Sequence, residues 1–445
     1  MGNWPLKTVA ELAAQSKSAL ATGPFGSTIG SKTFRSVGIP VIRGGNLSAN
    51  VANRLIDEGL VFIEPVLAEK FKRSIAVRGD LVFTCWGTTN QVGYVDKRAL
   101  YDRYIVSNKQ MKLTPNTKLI DALFLYYYFS SECGQKQIAD QAIGSSVPGF
   151  NLGGLKQIKV PVPPRGVQDK VAFLLGALDD KIELNRRMNE TLEAMARALF
   201  KDWFVDFGPT RAKMDGREPT LAPDLWDLFP DRFDAEGKPE GWDLSEIGRE
   251  VEVVGGATPS TKDPAYWNGG VHHWVTPKDL SKLDIPVLLD TERKITDAGV
   301  GKISSGLLPP GTVLLSSRAP IGYLAIAEIP TAVNQGFIAM ICKKRLPNVF
   351  VLFWCYENLD YIKGISGGST FAEISKKAFR PIPVVVPSNK AMAAFEGIAR
   401  PLYDRIVANT RESRTLAQTR DLLLPKLMSG EIRLRDAEKQ VEAVA

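Results

Sequence analysis

GSSVPGFNLGGLKQIKVPVP at 144–163 and GGSTFAEISKKAFRPIPVVVP at 367–387 say nearly the same thing twice. Laying Gly144-Ser145-Ser146 on Gly368-Ser369-Thr370 is a shift of 224 residues (368 − 144), and that shift also puts Lys156 on Arg380, Ile158 on Ile382 and Pro163 on Pro387. It continues without a gap: Leu178 falls on Leu402, Asp180 on Asp404, Ile182 on Ile406, Asn185 on Asn409, Thr191 on Thr415, Leu192 on Leu416 and Leu199 on Leu423. One register held this long is a tandem duplication.

The duplication extends upstream with larger shifts, as it does when loops change length on a kept scaffold. Trp4-Pro-Leu6 matches Trp242-Asp-Leu244 at 238, and IPVIRGGNL (39–47) matches HHWVTPKDL (272–280) at 233. RGDLVFTCW (78–86) matches PGTVLLSSR (310–318) at 232, and Asn108 falls on Asn334 at 226. The first copy therefore carries the extra loop residues.

Composition sets the frame. A chain of 445 residues is too long for one ordinary core. With 44% hydrophobic and 24% charged residues it is a folded chain, not a disordered one. The longest apolar run, Ala122–Phe129, is too short to span a membrane. MGNWPLKTVAEL lacks the plan of a signal peptide. The four cysteines, Cys85, Cys133, Cys342 and Cys355, form no CxxC pair and are expected as reduced thiols. The expected location is cytoplasmic. A net charge of +7 favours a polyanionic partner weakly, since a modest excess over this length also serves solubility.

Each copy reads as a compact α+β domain followed by a long helix. Short β-rich runs (PVIRG, DLVFTCW, QVGYV; TVLLSS, IGYLAIAEI) alternate with Gly, Pro and Asn punctuation. The expected organisation is a first domain at 1–164, a helix at 165–205, a connector at 206–241, a second domain at 242–388, a second helix at 389–430 and a charged, frayed tail at 431–445. The connector, rich in Pro, Gly and charge, is too punctuated for a helix.

The apolar positions of the first helix run Val171, Leu175, Leu178, Ile182, Asn185, Met188, Leu192, Met195, Leu199. Those of the second run Phe395, Ile398, Leu402, Ile406, Asn409, Glu412 or Ser413, Leu416, Arg420, Leu423. Steps of four and three are a coiled-coil seam. Asn185 and Asn409 are either exposed positions of an irregular helix or polar seam residues that fix register. Helices of this length span about 50–60 Å, and they bury their seams against each other or against a partner.

No catalytic set is present. His272 and His273 are adjacent on a strand pattern and face opposite sides, and no third metal ligand stands at useful spacing. GPFGSTIG (23–30) lacks the GxGxxG spacing and reads as a turn. No P-loop occurs, nor an Asn/Asp-Pro-Pro-aromatic tetrapeptide. Ser316-Ser317-Arg318 has no histidine placed to serve a nucleophile. The chain reads as a binder.

Two diverged domains on long helices, related by an approximate two-fold, make a caliper for a duplex: each reads one segment and helix length sets the gap. Base readout needs Arg, Lys, Asn, Gln, Ser or Thr on loops at strand ends. The first copy offers Arg43, Asn46, Thr88, Thr89, Asn90 and Gln91; the second offers Thr276, Lys278 and Arg318. Lys32, Arg35, Lys72, Arg73, Lys262 and Lys302 suit phosphates, though a solvated charged face explains each as well.

At this point the chain resembles the specificity subunit of a Type I restriction-modification system. LFKDWFVDFGP (199–209) closing the first helix and LLLPKLMSGEIRL (422–434) closing the second carry the resemblance, with PFGS (24–27), EGW (240–242) and the order domain, helix, domain, helix. It implies two target-recognition domains separated by a pair of long antiparallel coiled-coil helices with pseudo-two-fold symmetry. It implies double-stranded DNA as ligand, read as a bipartite asymmetric site. The implied partners are two modification subunits, which methylate adenine N6, and restriction subunits. S-adenosylmethionine, ATP and magnesium would belong to those partners, with no cofactor and no catalysis in this chain. Phe200, Trp203, Phe204 and Phe207, with Leu424, Pro425, Leu427 and Met428, would form the partner surface, or else cap the coiled coil. The rival readings are a specificity subunit for a fused methylase-nuclease, a coiled-coil interaction protein without DNA readout, and a self-sufficient DNA methylase, which binding of S-adenosylmethionine by the chain alone would revive.

Overall fold

The computed structural model describes residues 4–26, 28–141, 149–367 and 372–442. The Gly144-Ser145-Ser146 and Gly368-Ser369-Thr370 triplets and Ser27 of PFGS lie outside them. By its internal contacts the chain forms two units, Met1–Leu184 with Glu412–Ala445, and Asn185–Arg411. The division runs through both long helices, not at their ends.

The first unit holds two four-stranded sheets. One is antiparallel, in the order Leu20–Thr22, Gln110–Leu113, Leu81–Thr84, Val92–Tyr94. Its inner strands are buried along their whole length, so LVFT and QMKL are covered on both faces. The other runs Val61–Ile63, Ile39–Ile42, Arg103–Val106, Ile75–Val77, and its two central strands are parallel, with Val41 opposite Ile105. Helix Ala122–Ser130 starts at Asp121, whose carboxylate accepts from Phe124 N at 2.8 Å. Apolar all round, it is buried all round. Strand Leu6–Thr8 pairs with Lys159–Pro161 and ties the domain's entrance to its exit.

The second unit repeats this plan. Glu252–Val254, Phe337–Ile341, Thr312–Ser316 and Leu324–Ala327 follow the order of the first antiparallel sheet, with Val287–Leu288 added at the edge. Arg293–Ile295, His272–Val275 and Thr331–Val333 repeat the mixed sheet with its parallel pair, and Asp243–Glu246 pairs with Pro383–Val386. Single hydrogen bonds recur at the offsets of the duplication. Val9 N donates to Ile158 O at 2.9 Å and Ile247 N to Ile382 O at 2.9 Å, offsets of 238 and 224. Phe150 N donates to Cys85 O and Ile374 N to Ser317 O, offsets of 224 and 232. Ser107 N donates to Ile42 O and Asn334 N to Val275 O, so the partner of Asn334 is Ser107, one residue from the expected Asn108.

The long helices are Arg165–Phe204 and Asn389–Ser429. In each unit they run antiparallel. In the first, Asp179 meets Arg420 and Lys181 meets Glu412. In the second, Asn189 meets Asn409 and Phe204 meets Phe395, with ring centroids 5.1 Å apart. Asn185 and Asn409 are both buried. Asn185 Nδ2 donates to Asn409 O at 3.4 Å, and Asn409 Nδ2 donates to Asn189 Oδ1 at 2.9 Å. They are polar seam residues, not exposed ones. Beyond Asn185 the seam departs from expectation. Met195 is 55% exposed while Ala196 is buried, and Ile398 is exposed where Ala399 is buried. The buried path is Asn185, Asn189, Ala196, Phe200, Trp203.

Two further expectations are corrected. The segment 206–241 is not a free connector: it contains helix Gly208–Met214, and Phe229 packs its ring 4.9 Å from Trp203 in the second unit's core. The tail is not frayed: it forms helix Leu434–Glu442, and Ala437 lies in the first unit's core with Leu423, Leu424, Leu427 and Met428. Among the described residues, no helix is long and apolar enough to cross a membrane.

Candidate nucleic-acid interface

Parallel pairing of Ile39–Ile42 with Arg103–Val106 brings the C-terminal ends of both strands to one edge. The chain leaves that edge as the turn Arg43–Asn46 and the loop Ser107–Lys109, side by side. Strand Leu81–Thr84 ends beside them, because Thr84 pairs with Gln110, and continues into the exposed loop Trp86–Asn90. The three segments enclose a cavity of about 600 Å³. Arg43, Thr88 and Gln91 of the expected set line it, together with Thr84, Trp86, Ser107, Asn108 and Gln110.

Local structure explains the placement. Gly23 must be glycine, because a Cβ there would lie 2.0 Å from Ser107 O; Gly256, its counterpart, would place one 1.7 Å from Val333 O. Both glycines let a neighbouring segment press against the strand end that carries the loop. The Arg43 guanidinium sits 5.6 Å over the Phe34 ring and donates from Nη2 to Gly59 O at 3.0 Å, which holds it at the cavity wall. Asn108 Nδ2 donates to Gly26 O at 3.1 Å. Ser107 Oγ donates to Gln110 Oε1. Burial pushes the Cys85 thiol up to about 12, so the sulfur behind the cavity stays neutral and unreactive.

Asn46 is not available to a base. It is buried, its carbonyl accepts from Arg43 N at 3.0 Å, and its amide donates to Ile56 O and Glu58 O at 3.0 and 3.2 Å. It holds the turn that presents Arg43. Thr89 is half-buried and Asn90 exposed on the same loop. Among the phosphate candidates, Lys32 and Lys72 are exposed, Arg35 pairs with Glu64 at 2.9 Å, and Arg73 donates to Lys17 O at 2.9 Å.

In the second unit the corresponding residues are engaged with the protein. Thr276 caps helix Pro277–Leu280, its hydroxyl donating to Asp279 Oδ2 at 2.6 Å. Lys278 and Lys282 share Glu292, and their hydrogen bonds hold that carboxyl at about 2. Arg318 stands where the first unit has Trp86, 3.6 Å from Glu373. Lys262 is exposed and Lys302 lies 5.7 Å over Tyr266. A cation that sequence reasoning missed, Arg293, stacks 3.6 Å over Trp267. Trp86, Thr84 and Gln110 were missed in the first unit: a strand-end Thr and a buried Gln look like packing until the parallel pair places them around one cavity.

The expected partner surface is corrected for six of its eight residues. Phe200, Trp203 and Phe204 are buried in the second unit's own core, and Leu424, Leu427 and Met428 in the first unit's own core. Phe207 is partly buried against Trp242, and Pro425 is exposed beside Leu422, itself 54% exposed. Aromatic and leucine-rich helix ends mark apolar contact, and here the contact is internal.

Comparison with known proteins places the chain. The family described as Type I restriction modification DNA specificity domain matches twice, over residues 26–194 and 239–394. The Type I restriction enzyme HindI specificity subunit of Haemophilus influenzae is 26% identical over 379 residues, covering 74% of this chain and 82% of the relative. The MjaIX specificity subunit of Methanocaldococcus jannaschii is 36% identical over 182 residues, 40% of this chain and 42% of the relative. The S subunit of a Type I restriction-modification system from M. genitalium shares the fold, with a TM-score of 0.57 at 16% identity, over 96% of both chains.

Proposed function

Because the chain belongs to the Type I restriction-modification DNA specificity family, and is a non-catalytic DNA sequence-specificity subunit, we propose that its two units read two different words of one bipartite, asymmetric DNA site. The observation that carries this is a shared scaffold with unlike strand ends. Where the first unit presents Arg43, Trp86 and Gln110, the second presents Thr276, Arg318 and Phe337. Side chains at such ends meet base edges, and a good bidentate contact discriminates by about 1–3 kcal/mol. Arg43 and Gln91 are the base-reading candidates of the first unit; exposed Lys32, Lys72 and Lys262 meet phosphates and set the salt dependence.

In this reading the chain works in the cytoplasm on double-stranded DNA. It recruits two modification subunits, which use S-adenosylmethionine to methylate adenine N6, and restriction subunits that use ATP and magnesium. The tandem long helices support the caliper view, their length setting the unread gap between the words.

The test is co-expression with the modification subunit and genome-wide mapping of N6-methyladenine. A single asymmetric motif of two short words around a fixed gap is expected. Arg43→Ala with Gln91→Ala should relax one word and leave the other intact. A stable complex that neither methylates nor binds DNA with sequence preference overturns the proposal.

A further inference from the structure

Both units lay an arginine over an aromatic ring at the strand end, but each takes the arginine from a different strand. In the first unit the Arg43 guanidinium lies 5.6 Å over Phe34. A shift of 233 residues (267 − 34) puts Phe34 on Trp267, the same shift that lays IPVIRGGNL on HHWVTPKDL. The backbone keeps the match: Phe34 N donates to Ser31 O and Trp267 N to Pro264 O, closing equivalent single turns at Ser31–Thr33 and Pro264–Tyr266. That shift also carries Arg43 to Thr276, whose hydroxyl is spent on Asp279. Arg293 takes over the ring instead, 3.6 Å from the centroid of Trp267.

Arg293 opens the strand Arg293–Ile295 opposite Trp274, one residue before the end of His272–Val275. It therefore stands at the edge from which Thr276 leaves, the counterpart of the edge that presents Arg43. In the first unit this place belongs to Val61, half-buried opposite Val41. Arg293 is exposed, and among the described residues its guanidinium has no hydrogen-bond or ion-pair partner. The acids beside it in the chain are engaged elsewhere: Glu292 with Lys278 and Lys282 at 3.1 and 2.7 Å, Asp290 with His273 at 3.2 Å. A guanidinium on a ring gives up its face and keeps its in-plane donors, and its planar fork loses less freedom for each bond it then makes.

A fork of donors held at the reading edge with no acceptor of its own matches the N7 and O6 acceptors of guanine, the commonest base contact of arginine. Resting on the functional reading above, we propose that Arg293, held on Trp267, is the specificity-determining residue of the second unit and reads one guanine of its word through the major groove. It is the second unit's answer to Arg43. The duplication kept the aromatic platform and changed the strand that supplies the cation, from the turn after one strand to the start of its neighbour.

The experiment uses the complex with its modification subunits and the mapped target duplex, with 7-deazaguanine, which lacks the N7 acceptor, placed singly at each guanine of either strand. One position in the second word weakens binding of the wild-type complex several-fold and leaves the affinity of Arg293→Ala unchanged. That non-additivity ties the residue to the base. Arg293→Ala itself binds the target about tenfold or more weakly and accepts other base pairs at that one position, while reading of the first word persists. Arg293→Lys keeps the charge without the fork and loses the same discrimination, so the result does not depend on tolerance of alanine. A uniform loss across all sequences, restored by Arg293→Lys and with a salt slope smaller by about one, assigns the residue to a phosphate and overturns the proposal. A second word without a G·C pair, or unchanged specificity in both variants, refutes it and leaves the functional reading standing. Loss of all sequence preference in the wild-type complex would remove the functional reading and this inference with it.

Discussion

Asp179→Asn removes one charge and almost no volume from a buried carboxylate that faces two arginines in the first unit. Asp179 is fully buried. Its Oδ2 accepts from Tyr127 OH at 2.6 Å, its Oδ1 from Arg420 Nη1 at 2.9 Å, and Arg54 Nη2 lies 3.7 Å away. Arg54 and Arg420 are 3% and 4% exposed, so both cations rely on protein for their counter-charge. Arg54 keeps Asp96 at 2.8 Å after the change, while Arg420 keeps only Asp421, which is 61% exposed. One buried cation is therefore left with a single, exposed counter-charge, and breaking such a pair costs about 3–5 kcal/mol. In a unit of this size each kcal/mol moves the midpoint by about 2–4 °C, so a fall of about 6–20 °C is expected. Calorimetry on the full chain should show it in one transition only. The second unit shows what replaces the pair, since the positions of Asp179 and Arg420 are occupied there by Tyr403 and Ala196, both buried. Asp179→Leu with Arg420→Met should accordingly lose less than the two single changes together, with a coupling of about 0.5–3 kcal/mol. A loss below about 1 kcal/mol for Asp179→Asn, or strict additivity of the pair, would refute the reasoning.

Gly256→Ala, with its Cβ 1.7 Å from Val333 O, should cost at least about 2 kcal/mol in urea unfolding of the second unit, and a neutral result would mean the strand end yields. Glu250 is gripped by Arg345 at 3.0 and 2.6 Å, which holds its carboxyl below the ordinary 4.5. A lowered value means the contribution is complete above pH 4.5 and is lost as pH falls through the folded value. Glu250→Gln should thus be worse by about 1.5–3 kcal/mol at pH 7, with the gap closing in acid; a gap unchanged at pH 3 would contradict the ion pair as its cause. Replacing Asn185 and Asn409 together by leucine should leave the second unit's midpoint unchanged or higher but yield mixed species by size-exclusion chromatography. A single species with a lower midpoint would show that the asparagines supply stability, not register.

The duplication was legible to the residue along most of its length, because a strand that keeps its hydrogen-bonding partner keeps its place in the chain. The offsets 238, 233, 232 and 224 all return as equivalent backbone bonds, and the single slip, Asn108 for Ser107, fell in a loop where no periodicity constrains the pairing. The helix seam was legible up to Asn185. Beyond it Met195 and Ala196 are adjacent, both apolar, and a step of three or four satisfies either. Core and interface were not separable at LFKDWFVDF and LLLPKL, since apolar residues are chosen alike for both. Asn46 and Arg43 looked equivalent as polar turn residues. Only the fold shows that the Asn46 amide is spent on Arg43 N, Ile56 O and Glu58 O while Arg43 faces the cavity. Thr84 was hidden because it reads as an ordinary strand residue, and only the fold places it on the cavity wall.

The make-up of the first unit bears on how the molecule is born. Its core needs Leu423, Leu424, Leu427, Met428 and Ala437, which the ribosome delivers long after Leu184. The second unit, Asn185–Arg411, is a continuous run and has all its parts first. The usual order of assembly during synthesis is thereby reversed: the domain made earliest waits, with Phe124, Val171 and Leu175 uncovered, until the last helix arrives. A chain halted before Glu412 carries the whole of the second unit and lacks part of the first unit's core. The segment from Glu412 onward therefore acts as a seal on the first unit.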